Sequence, residues 1–292
     1  MPSIVVDSVN RKPTANPTGV ATGLAVAGAQ FEVASIRPMN PHERPFLGLQ
    51  YTGSQIRAGG TLRGLIAMTL QIRANVADDM IVGLPKSADE QWNIIAKLPS
   101  TGEGAAHIVN GRSQPPPMST ALEMFRTLLV DRFELKTHVE NRETTVYAFT
   151  LARDKPKLTP ADDSERSGCV LDPNAPKPFT NITVMIACKN TEISDLAQYL
   201  QQIATAYIDH PIVDATGLQG GWDFLVGWTT KPRLQSPAPD PNGPTGPIVA
   251  ATDPNGISLF DAVERELGLR LVKQKRSIPV IVVDHVDEKP VE

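Results

Sequence analysis

The feature that most constrains this chain is a succession of segments that occurs twice. Residues 61–72 (TLRGLIAMTLQI) place apolar side chains at 62, 65, 66 and 70, the spacing of a helix with one buried face. Ile81-Val82-Gly83-Leu84-Pro85 follows, then the β-type run 92–97, opened by Trp92. Residues 120–133 (TALEMFRTLLVDRF) read as a second helix, capped by Ser119 or Thr120 with Glu123 completing a capping box. Residues 135–139 and 145–151 alternate like two strands, joined by the polar turn 140–143.

The second half keeps the order. Residues 194–207 form an amphipathic helix opened by a Ser or Thr cap, and Ile212-Val213-Asp214 leads to Gly217-Leu218 and to a strand opened by Trp222. Residues 258–267 are another helix, with Gly268 as its left-handed stop, and 269–272 and 280–284 make the closing strand pair. Gly-Leu and Trp thus punctuate both halves at matching places (Gly83, Leu84, Trp92 and Gly217, Leu218, Trp222). The expected fold is α+β: two tandem copies of one unit, each a helix, a strand, a helix and an antiparallel strand pair, with long Pro-rich loops at 99–118, 154–179 and 231–256. The expected boundaries are an N-terminal arm at 1–30, a first unit at 31–158, a connecting loop at 159–180 and a second unit at 181–292.

Composition narrows the partners. A net charge of -4 and the lack of a Lys/Arg cluster interleaved with aromatics give no footprint for nucleic acid. No apolar run approaches the roughly 18 residues of a membrane span. The small apolar stretch 19–30 ends Ala27-Gly28-Ala29, the pattern cut by signal peptidase, behind a polar start. It reads as the tail of a signal peptide whose start is missing or replaced, or as a plain N-terminal arm. The two cysteines, Cys169 and Cys188, are either one disulfide closing a loop of about 20 residues, as suits an exported protein, or two unrelated buried thiols.

Several of these residues carry a resemblance. Phe31-Glu32-Val33-Ala34-Ser35-Ile36-Arg37-Pro38, Leu128-Leu129-Val130-Asp131-Arg132-Phe133 with His138, Val213-Asp214-Ala215-Thr216-Gly217-Leu218-Gln219-Gly220, Trp222-Asp223-Phe224 and Glu266-Leu267-Gly268-Leu269-Arg270-Leu271 together resemble the uncharacterised "soil-associated" family abundant in Acidobacteria such as Solibacter. The resemblance spans nearly all of 31–289. It implies a secreted or periplasmic protein of a soil bacterium. Fusion of some relatives to membrane sensor-peptidase modules suits binding or sensing of a small molecule or an envelope protein. It implies no catalytic residues.

No G-x-S-x-G elbow, H-E-x-x-H, phosphate loop or dinucleotide fingerprint occurs. The candidate chemistry is Asp209-His210 with Asp214, and His285 with Asp287, which share a face of an extended strand. Such His–carboxylate pairs serve a general base or a metal ligand set, and they also simply end helices and strands. His138, on an alternating strand, reads as a structural residue. Trp92 and Trp222 read as core, with ligand stacking as the other reading. Asp240-Pro241-Asn242-Gly243 and Asp253-Pro254-Asn255-Gly256 lack the alternating ligands and distal Glu of a calcium loop, so they read as turns. Two functions stay open. The first is an extracytoplasmic binding or sensing protein. The second is a hydrolase of small esters or lactones, acyl-homoserine lactones among them. No cofactor is evident; a divalent metal ion belongs to the hydrolase reading.

Overall fold

The computed structural model describes residues 29–40, 48–109, 112–162, 167–175, 181–231 and 256–291. Strands β1 (Val33–Pro38), β2 (Gly48–Thr52) and β3 (Gln55–Thr61) lead into helix α1 (Leu62–Thr69), the short α2 (Ala77–Met80) and the short strand β4 (Ile81–Val82). Then come β5 (Gln91–Lys97), a small hairpin of β6 (His107–Val109) and β7 (Arg112–Gln114), helix α3 (Met118–Phe133) and the long strand β8 (Lys136–Leu151). The second half runs β9 (Thr159–Pro160), β10 (Gly168–Leu171), β11 (Val184–Thr191), helix α4 (Ile193–Ile203), β12 (Ile212–Asp214) and β13 (Trp222–Trp228). Helix α5 (Leu259–Ala262) continues as a π turn, Val263–Leu267, into the long strand β14 (Leu269–His285).

Among the described residues, those up to 72, 81–141 and those from 279 onward form one compact unit; 73–80 and 142–278 form the other. In the first unit an antiparallel sheet has the order β1-β5-β3-β2. Alternation along β5 turns Trp92, Ile94 and Ala96 inward. Helix α1 begins where Thr61 accepts a 3.0 Å hydrogen bond from the Gly64 amide, relieving one orphan donor. Helix α3 buries Phe125 and Phe133 completely, and Phe133 meets Trp92 edge to face at 5.4 Å. Each such ring adds about 1.5–3 kcal/mol by burial.

The second unit has the antiparallel sheet β10-β11-β13-β9. Its core joins Ile186, Leu196, Leu200, Val226, Trp228, Leu259 and Leu267. Cys169 and Cys188 stand opposite each other in the β10–β11 ladder and are disulfide-bonded. A third sheet has the order β12-β8-β14-β4. In it β12 runs parallel to β8, and β4 parallel to β14. β8 and β14 run antiparallel, since Thr150 hydrogen-bonds to Arg270 and His138 meets Asp284.

The structure has the helices and sheets expected of an α+β protein and corrects its details. Residues 140–143 do not turn: β8 is one strand from 136 to 151, and β14 likewise replaces the expected pair 269–272 and 280–284. Helix α3 starts one residue after Pro117, so no Ser119 or Thr120 capping box forms; the fixed φ of proline sets the start instead. Helix α4 likewise follows Glu192, with no serine or threonine cap. Ser258 does cap α5, and Gly268 ends the π turn at φ 68°. The stretch 159–180 contains β9 and β10. The Asp240 turn and most of the Asp253 turn lie outside the described residues.

Candidate functional site

Two polar clusters collect most of the residues with chemistry. The first lies in the second unit, around the entry to β12. His210 Nδ1 is 2.6 Å from Asp79 Oδ2, on the short α2, and each side chain is roughly three-quarters covered. The other ring nitrogen faces Asp209 Oδ1 at 4.0 Å. That oxygen already accepts a 2.9 Å hydrogen bond from the Tyr147 hydroxyl, and Lys273 Nζ is 3.7 Å from it. Lys273 also stands 5.2 Å above the Tyr147 ring, a cation–π arrangement.

The electrostatics follow from this packing. Burial, then the Asp209 hydrogen bond and charge, push the Tyr147 phenol up to about 12. For Asp209, partial desolvation is the largest influence and pushes its carboxyl up. The Tyr147 hydroxyl, His210 and Lys273 together outweigh it and hold the group below the ordinary carboxylate range. Asp79 and His210 form a hydrogen-bonded carboxylate–imidazole pair. Among the described residues, no serine, threonine or cysteine hydrogen-bonds to that ring.

The second cluster lies in the first unit, where β14 ends beside the C-terminus of α3. His285 Nε2 is 3.3 Å from Asp287 Oδ1 and 3.8 Å from Glu134 Oε2. One ligand atom from each of Glu134, His285 and Asp287 lies within 4.8 Å of the others. Nearby, a shallow cleft of about 200 Å³ is lined by Phe31, Val33, Met124, Leu128, Asp131 and Arg132. It is smaller than the roughly 300 Å³ at which small-molecule pockets begin.

The five sequence candidates therefore do not meet at one place. Asp209 and His210 share the first cluster, and His285 and Asp287 share the second. Asp214 stays local, accepting from the Thr216 amide at 2.8 Å and hydroxyl at 2.7 Å as a turn former. Trp92 is 3% exposed in the first core, and Trp222 packs against the second. His138 lies 2.9 Å from Asp284 and 3.8 Å from Glu140, a cross-strand pair.

Residues 64–286 match a family described as protein of unknown function, DUF3738. The chain belongs to that family. Neither curated proteins nor solved structures contain a match. The DUF3738 match takes in Glu134, Tyr147, His210, Lys273 and His285, and stops one residue short of Asp287. The family description names no activity, so the roles of these residues rest on their geometry.

Sequence reasoning missed Asp79, Glu134, Tyr147 and Lys273. A signal for Asp79 was present: setting Asp78-Asp79-Met80-Ile81-Val82 over Asp209-His210-Pro211-Ile212-Val213 puts Asp79 opposite His210. Glu134 sits in a left-handed position, φ 46°, that ends α3. Tyr147 and Lys273 look like ordinary strand residues until β8 and β14 bring them together.

Proposed function

We propose that this DUF3738 protein is a binding or sensing module that works outside the cytoplasm and catalyses no reaction of its own. The observation carrying this reading is the dispersal of its polar candidates. Asp209 is engaged by Tyr147 and Lys273, His210 by Asp79, and Asp214 by Thr216. A hydrolase needs nucleophile, base and oxyanion donors converging on one concave point. The Cys169–Cys188 bond supports export, because such bonds persist in oxidising compartments. The resemblance to soil-associated proteins supports a soil bacterium as the source.

The same reading treats the chain as two copies of one unit. Each copy supplies an edge strand (β1, β9), a hairpin (β2–β3, β10–β11), a helix (α1, α4), a short strand (β4, β12) and a strand that returns to the sheet (β5, β13). Sheet orders β1-β5-β3-β2 and β9-β13-β11-β10 then correspond strand for strand. Register supports the match. Trp92 pairs with Pro38 on one side and Gly60 on the other; Trp222 pairs with Pro160 and Thr191. Gly60 and Thr191 each precede the residue that caps the next helix. The short strands are exchanged: β12 pairs with β8 of the other copy, and β4 with β14. Ile81 opposes Ile281 and Ile212 opposes Tyr147, so the exchange keeps one register. Asp79 and His210 each precede their short strand by two residues. Their hydrogen bond joins positions that correspond in the two copies.

The binding reading is tested by metal analysis with a panel of esters and acyl-homoserine lactones, assayed with and without chelator. The expected result is no product above buffer under either condition. Chelator-sensitive hydrolysis would favour the alternative, a metal-assisted ester or lactone hydrolase.

A further inference from the structure

We infer that Glu134, His285 and Asp287 bind a divalent first-row transition-metal ion, with zinc as the probe. The donor spacing suits such an ion. Zinc holds nitrogen and oxygen ligands at about 2.0–2.2 Å, which sets tetrahedral neighbours roughly 3.3–3.6 Å apart. The His285–Asp287 and His285–Glu134 separations are 3.3 and 3.8 Å, and the Glu134 and Asp287 oxygens lie within 4.8 Å of each other, so side-chain rotation suffices to close the set around an ion. An imidazole with two carboxylates favours a transition metal over calcium or magnesium, which take oxygen ligands alone.

The backbone holds the ligands in place before any ion arrives. The Asp287 amide donates to the Phe133 carbonyl at 2.7 Å, and the Val291 amide donates to the Arg132 carbonyl at 2.7 Å. Arg132 Nη1 donates in turn to the Val291 carbonyl at 3.0 Å. The segment bearing Asp287 is thereby clipped to the helix end bearing Glu134, as a preorganised site requires. That end is the C-terminus of a 16-residue helix, where the helix dipole favours a cation. The competing arrangement is His285 held by the two carboxylates with no ion. It differs in one respect that can be measured: it takes up no metal.

The site is independent of the binding-module reading, which concerns turnover. The test is calorimetric titration of zinc into untagged, oxidised, full-length protein stripped with chelator. One equivalent per chain is expected. H285A should weaken binding at least about tenfold, as should E134Q combined with D287N, while circular dichroism stays unchanged. H138A provides the control, a half-exposed imidazole beside other carboxylates, and should stay within about twofold of wild type. Absence of saturable binding, or wild-type affinity in H285A or the double carboxamide variant, overturns the site. If H285A fails to fold, the double variant decides. Ester turnover by the same samples would count against the binding-module reading and leave the ion site standing.

Discussion

Cys169 and Cys188 face each other across one ladder, nineteen residues apart in sequence. A loop of that size contributes about 3 kcal/mol by restricting the unfolded chain. Cys169→Ser should therefore lower the unfolding free energy by about that amount, read as a urea midpoint shift at constant slope. A midpoint equal to that of the oxidised wild type would mean that the bond does not form in solution. Tyr147 gives a prediction with pH. Its folded value, about 12, lies above the 10.0 of a free phenol, so the protonated form is favoured by folding. That contribution is intact below pH 10 and is lost as pH rises through about 12. Tyr147→Phe should flatten the alkaline loss of stability; equal loss in both proteins would assign it to other groups. The cysteines were legible because two thiols in one chain leave few arrangements. The Asp79–His210–Asp209–Tyr147–Lys273 cluster was not, because its members come from distant stretches that only the folded chain assembles.

Helix ends separate what local sequence dictates from what it does not. Gly268, at φ 68°, closes the π turn, and a β-carbon there would stand 3.1 Å from the Lys157 nitrogen. Gly268→Ala should cost about 1–2 kcal/mol in thermal unfolding, from the left-handed backbone alone. Glu134 holds the matching place after α3 at φ 46° without being glycine. Glu134→Gly should stabilise the fold by about 0.5–1 kcal/mol while removing an ion ligand; loss of stability would show that its side chain matters more to the fold than its backbone does. Strand lengths were harder to read. Residues 140–143 are polar and exposed, and polarity alone suggested a turn. They contain no Gly or Pro, and the chain runs straight through them. The hydrophobic alternation lapses there because β8 leaves one compact unit and enters the other, as β14 does near 278–279. Hydrophobic patterning reports a buried face, and this stretch has none.

At the scale of the whole molecule, the sequence showed matching punctuation in its two halves and did not show that β4 pairs with β14 and β12 with β8. Nothing in Ile81-Val82 or Ile212-Val213-Asp214 says which long strand each will join, since either partner would bury the same apolar residues. Each is two or three residues long, so the choice lies in chain connectivity that local pattern does not record. The central claim, a module that binds without catalysis, depends on whether His210 and His285 do chemical work. The direct measurement is turnover of the ester and lactone panel, with zinc supplied, by wild type and by the folded variants His210→Ala, His285→Ala and their combination. The account predicts no turnover above buffer in wild type, and hence no difference among the four proteins. Measurable turnover that falls 100-fold or more in the double variant, a loss of about 3 kcal/mol of transition-state stabilisation, would contradict it.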